Sequence, residues 1–164
     1  MGAERQHETG SSIREFRPGE DAGEVASILA STPEATQWSE SDLLRIRELS
    51  GVRAFVSGDA QAISAIVIGR RVADEAEILN LAVRQENRRK GEGRRLVGKL
   101  LEEYRCLAVS RVFLEVRESN TGAISFYEHL GFRTVGKRKD YYQDPKEAAL
   151  VMERRLWKST EVAP

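Results

Sequence analysis

The stretch Arg84–Arg95, RQENRRKGEGRR, gathers six basic residues around two glycines one residue apart. It follows the apolar run AEILNLAV and leads into helical spacing, with Leu96, Leu100, Tyr104 and Leu107 recurring at steps of three and four. Three kinds of chemistry compete for it. As a nucleotide motif it fails: GRRLVGK has Leu100 where a Mg²⁺-binding Ser or Thr is needed, and GEGRRL has Leu96 for the third glycine of a dinucleotide fingerprint. A solvated basic turn is the plain alternative, but cations at a helix N-terminus oppose the macrodipole. A cradle for an anion such as pyrophosphate fits better. Glycines let the backbone approach a ligand, the first N–H groups of a helix have no intrahelical partner, and Arg88, Arg89, Lys90 and Arg94 add charge.

Other side chains could do chemistry, each with a structural reading beside it. Glu115 stands in the alternating strand VFLEVR, which puts Phe113, Glu115 and Arg117 on one face, so by pattern it is an exposed carboxylate near Arg117. Tyr127 has the helical spacing of a core tyrosine, with Ala123, Ile124 and Leu130 around it. Asn120 is placed to cap that helix. Trp38, Tyr141 and Tyr142 fall in segments read as loops, where aromatics line a ligand slot or pack beneath the loop. Cys106 has no histidine near it in sequence, His129 lies on the polar side of its helix, and neither histidine has a second ligand at metal spacing, so no metal is expected.

These groups need a scaffold, and 164 residues suffice for one domain with a core. Twenty-six basic residues offset twenty-six acidic ones, so no overall field draws the chain to nucleic acid or membrane. A single cysteine excludes an internal disulfide, and no apolar run approaches the ~20 residues of a membrane span. Residues 1–11 read as a polar arm, 12–157 as one domain and 158–164 as a tail. Strands are expected at SIREFR, on both sides of the turn SGDA, and at EAEILNLAV, RVFLEVR, FRTVGKR and AALVMERRLW. Helices are expected at PGEDAGEVASILAS, SESDLLRIREL, from Gly93 onward, and at NTGAISFYEHL, with KDYYQDPKE as a loop. The result is an α/β fold, a mixed sheet with helices on both faces and one parallel β-α-β unit.

RRKGEG fits the Arg/Gln-x-x-Gly-x-Gly/Ala signature of the GNAT acetyltransferases. EILNLAV…RRKGEGRRLVGKLL, then LEVRESNTGAISFYEHLGF and KDYY, resembles in order and spacing the RimI-type N-terminal acetyltransferases that act on ribosomal-protein alanine. WSE before the second helix matches too, and the similarity runs from about Ile13 to Trp157. The resemblance implies a mostly antiparallel GNAT sheet of six to seven strands. It also implies acetyl-CoA as co-substrate, with its pyrophosphate on the turn of Arg88, Arg89, Lys90, Gly91, Glu92, Gly93 and Arg94. The backbone of Leu81, Ala82 and Val83 would run beside the pantetheine, with the Val83 N–H facing the thioester oxygen. Glu115 would be the general base, Tyr127 the general acid near the sulfur, and Asn120 a further CoA contact. Tyr141 and Tyr142 would line the slot for the acceptor's first residues, with Trp38 on the opposite wall.

An ordinary carboxylate base suits an α-amine, of which roughly a fifth to a third is neutral at pH 7.4, better than a lysine, of which about one in a thousand is. The expected acceptor is therefore a protein N-terminus, a ribosomal protein by the resemblance. The alternatives are a GNAT enzyme for lysine or a small amine, and a non-catalytic acyl-CoA-binding module. A cytoplasmic protein, monomeric or weakly dimeric, is expected.

Overall fold

The computed structural model describes residues 11–59 and 61–156, so the expected arm (Ser11 apart), the tail and Trp157 lie outside the described residues. Among those described, the elements follow the order that the sequence implies: β1 Ser12–Glu15, α1 Pro18–Ala30, α2 Glu40–Leu44, β2 Val52–Gly58, β3 Ile63–Val72, β4 Glu75–Val83, α3 Glu92–Cys106, β5 Arg111–Arg117, α4 Thr121–His129, β6 Arg133–Gln143 and β7 Lys146–Arg155. They form one seven-stranded sheet in the order β1-β2-β3-β4-β5-β7-β6. All neighbours are antiparallel except β4 and β5, which run parallel as the intervening helix requires.

Alternation along the strands sends side chains to two cores. Phe55, Ala65, Val67, Val112, Leu114 and Val116 pack with Leu96, Val97, Leu100, Leu101 and Tyr104 of α3 and Tyr127 of α4. Ala54, Val56, Ile66 and Ile68 pack with Val25, Ile28 and Leu29 of α1 and Leu43 of α2. Helices therefore cover both faces.

Two elements differ from the sequence expectation. The helix expected over 39–49 is shorter: α2 ends at Leu44, and a 3-10 turn, Ile46–Glu48, replaces the rest. Ser39 is its N-cap, in a reciprocal box with Asp42. The tighter winding lets Ile46 join Leu43 in the α1 core while Leu44 and Leu49 stay outside. Second, Tyr141 and Tyr142 are not in a loop. β6 continues to Gln143 through an irregularity between Arg138 and Tyr142, where Asp140 takes a positive φ of 54°. Pairing resumes with Tyr142 opposite Glu147, so the turn shrinks to Asp144 and Pro145. A bulge absorbs the residues that looked too polar for a strand.

A second bulge lies in β4. Ile68 faces Asn80 and Gly69 faces Ile78, which leaves Leu79 as an extra residue. It exchanges the faces of the strand: Ala76 and Ile78 belong to the α3 core, whereas Ala82 belongs to the α1 core.

Tyr104 is fully buried beneath the sheet, and its hydroxyl, set against Gly69, has no hydrogen-bond partner among the described residues. Burial holds this phenol far above its ordinary pKa. Tyr104→Phe is expected to raise stability by about 1 kcal/mol, because it removes an unpaired polar atom and keeps the ring. A thermal melt should show an increase of a few degrees; a decrease would mean that the hydroxyl is bonded in solution.

Candidate active site

β4 and β5 pair over only three positions, Glu75–Glu77 against Arg111–Phe113. Beyond them the strands part. The Arg84 N–H donates to the Ser64 carbonyl on the β3 side at 2.8 Å. Strand alternation then turns the N–H groups of Val83 and Leu81 the other way, into the opening. Two cavities occupy this gap. The first, about 390 Å³, lies between Ile78–Leu81 and Leu114–Arg117, with Tyr127, Tyr142 and the loop Thr32–Gln37 as further walls. The second, about 640 Å³, runs from Leu81 and Val83 to the start of α3 and the flank of α4. Leu81, Asn120, Ala123, Thr32 and Glu34 line both.

The basic stretch divides into structural and cavity-lining parts. Arg84 pairs with Glu24 at 2.9 Å and donates to the Ile63 carbonyl, while Arg95 donates to the Ser11 carbonyl. Lys90 lies in a neighbouring depression with Arg84 and Arg95. Arg88, Arg89, Gly91, Gly93 and Arg94 line the second cavity. Gly91 caps α3 in the left-handed region, φ 81°, where a side chain would be strained although it would meet no atom within 4 Å. Arg89 is also left-handed, φ 61°. A Cβ on Gly93 would touch Phe126, Val83 and Leu81 only at ordinary contact distance, on the cavity side. The first helical bond runs from the Arg95 N–H to the Gly91 carbonyl, so the N–H groups of Glu92, Gly93 and Arg94 have no intrahelical acceptor. These donors, three guanidinium groups and an open wall suit a phosphate-bearing ligand. The Glu92 carboxylate, in contrast, is turned inward and buried, accepting from Ser57 at 3.0 Å and from Ser64. Glu92 can face a ligand there only through its backbone.

Glu115 projects from β5 into the first cavity with its side chain 16% exposed, and Arg138 holds it at 2.9 Å. Tyr127 borders the same cavity, its ring edge-on to Phe126 at 5.0 Å and to Phe132 at 5.6 Å. Burial pushes its phenol well above the ordinary value. Asn120 accepts from the Ala123 N–H at 3.1 Å, so it caps α4 and stands where the two cavities meet. Tyr142 walls the first cavity beneath the Arg117 guanidinium, 3.9 Å from its ring. Tyr141 is 45% exposed beside Glu115. Hydrogen bonding toward that carboxylate, then burial and its charge, push the Tyr141 phenol up to about 12.

Trp38 is not brought to the cleft: it packs against the α1 core, and Thr32–Gln37 form the wall instead. Gln37 donates to the carbonyls of Leu29, Thr32 and Ala35, and Asn80 donates to that of Thr36 at 2.7 Å. The sequence reading did not single out Asn80, Gln37, Arg117 or Phe126. For Asn80 a signal existed, a lone amide inside the apolar run EILNLAV. Gln37 and Phe126 carry no such mark.

The model of the acetyltransferase (GNAT) family matches residues 24–132. The [ribosomal protein bS18]-alanine N-acetyltransferase of Escherichia coli is 41% identical over 91 residues, 54% of this chain and 62% of that protein. A putative enzyme of the same name from Bacillus subtilis is 38% identical over 81 residues, 49% and 54% of the respective chains. The sequence match thus spans less than two thirds of these relatives. In structure, the ribosomal-protein-S18-alanine N-acetyltransferase of E. coli superposes with a TM-score of 0.80 at 29% identity, covering 94% of this chain and 99% of that one. Ard1 from Thermoplasma volcanium gives 0.79 at 30% identity, over 90% and 98%. With a family match over residues 24–132, which carry β2 to β5 and all four helices but the start of α1, this chain belongs to the GNAT acetyltransferase family.

Proposed function

We propose that this chain transfers the acetyl group of acetyl-CoA to the α-amine of a protein N-terminus, with a ribosomal protein as the acceptor. The observation that carries this reading is the meeting of two cavities at Leu81, Asn120 and Ala123. One ends at a glycine-basic helix start, the other holds a carboxylate and a buried phenol. Arg88, Arg89, Arg94 and the first N–H groups of α3 hold the pyrophosphate, and β4 guides the thioester toward the first cavity. The Val83 N–H, on the second-cavity stretch of β4 beside Leu81, stabilises the oxyanion, a role typically worth ~3 kcal/mol.

Glu115 takes a proton from the acceptor ammonium, directly or through one water, and the freed amine attacks the thioester carbonyl. The C–N bond forms as the C–S bond breaks, and Tyr127 gives its proton to the departing sulfur. The second N–H proton lost by the amine returns Tyr127 to its phenol form, so each turnover releases one proton to solvent. The ribosomal acceptor rests on the relatives' substrate, and a cytoplasmic location belongs to the same reading. No helix of the described residues is long and apolar enough to cross a membrane.

Thiol release with acetyl-CoA and short peptides tests the reading. Peptides with a free α-amine and a small first residue are expected to turn over, with an α-blocked lysine peptide at least tenfold slower. Turnover of the blocked lysine peptide or of small amines alone would replace the N-terminal acceptor and leave the family untouched.

A further inference from the structure

Glu115 is not an isolated carboxylate. It stands on β5 two residues beyond Phe113, which pairs with Glu77 in the last β4–β5 register before the strands part. Glu77 and Glu115 therefore sit on adjacent strands at the closed end of the opening. A third cavity, on the far side of Glu115 from the glycine-basic cradle, is lined by Glu77, Glu115, Arg138 and Arg70. Arg138 reaches over from β6, its Nε 2.9 Å from the Glu115 carboxylate and its guanidinium 5.7 Å from the Tyr141 ring. Its side chain is 60% exposed.

We propose that Arg138 and Glu77 act on the reaction through Glu115, as positioning residues: Arg138 holds the base and tempers its charge, and Glu77 opposes Arg138 with a second negative charge. The inference rests on the reading of Glu115 as the general base. It answers a difficulty in that reading, since an arginine bound to a base weakens it as a proton acceptor and occupies one of its oxygens. A second carboxylate facing the same guanidinium restores part of that basicity and offers Arg138 another partner when the acceptor amine arrives.

The charged and titratable groups around Glu115 are few enough to predict signs. Arg138 and Tyr141 face it from β6, Glu77 from β4, and Arg70 lies beyond Glu77 on β3. Arg117 shares its strand and is drawn off by Glu147 and Tyr142. β7 presents Val151 opposite it. The Glu77 carboxyl is itself held above its ordinary pKa, by burial first and by Glu115 second, which fits two carboxylates within each other's field.

The test is the pH dependence of kcat with a saturating α-amine peptide, for the wild-type chain, Glu77→Gln, Arg138→Gln and the double variant. Loss of the negative charge at Glu77 should move the acid limb to lower pH by about half a unit. Loss of the positive charge at Arg138 should move it to higher pH by a similar amount, and the double variant should return close to wild type. KM for acetyl-CoA should stay within about twofold throughout, because none of these side chains lines the second cavity. Limbs that stay within 0.2 units, or move in the same direction, would overturn the proposal. Failure of the underlying reading looks different, because Glu115→Gln would then keep full activity whatever the other two variants do.

Discussion

Glu115→Gln is expected to lower kcat by about 100-fold or more, the usual scale for losing a positioned general base. The amide keeps the shape of the side chain but cannot take a proton. KM for acetyl-CoA should remain within about twofold, since Glu115 lines the first cavity and not the cavity at the start of α3. Stability should barely change: the partner lost is Arg138, more than half exposed, and such pairs contribute at most about 1 kcal/mol. Initial rates and a thermal melt on the same preparation separate these effects. A kcat within threefold of wild type would remove Glu115 from the chemistry.

Tyr127→Phe is expected to lower kcat by ten- to a hundredfold. The ring sits edge-on between Phe126 and Phe132, so the phenylalanine variant keeps its packing and deletes only the oxygen. Burial raises the phenol pKa, which favours the protonated form, the one a general acid needs. Ionisation of Tyr127 should therefore add no alkaline limb below about pH 10. The loss should be equally large at pH 7 and pH 9, and it should shrink with an acetyl thioester of a more acidic thiol, which leaves without a proton. An undiminished loss with that thioester would assign the oxygen to binding and not to proton transfer.

Most of the frame was legible in the sequence because it follows from local periodicity. EILNLAV, the glycine-basic turn and the heptad-like run after Gly93 sit together in the structure as a strand, a left-handed cap and an amphipathic helix. RVFLEVR matches β5 residue for residue. What was not legible depends on partners distant in sequence. The extra residue at Leu79 is visible only in the register against Ile68 and Gly69. The tyrosine pair looked like loop because its neighbours Lys139, Asp140 and Gln143 are polar, yet an edge strand tolerates polar residues on both faces. Trp38 beside a helix start looked available to a ligand, and the α1 core claimed it. Charge type alone likewise could not distinguish Arg84 and Arg95, which tie the scaffold together, from Arg88, Arg89 and Arg94, which face the cavity. The two catalytic candidates needed family resemblance, because by pattern one is a surface carboxylate and the other a core ring.

The parted strands leave β4 with a row of main-chain groups that no neighbouring strand satisfies, in effect a sheet edge inside the molecule. Exposed edges invite other chains, and proteins commonly blunt them with charge or distortion. Here the cavity walls shelter the edge, and a guest with amide groups of its own can pair with it. Affinity drawn from main-chain pairing is indifferent to side-chain identity. Discrimination between guests would then fall to the margins that wall the first cavity, the Thr32–Gln37 loop and Tyr142 of the β6–β7 hairpin, while the pairing groups of β4 stay the same.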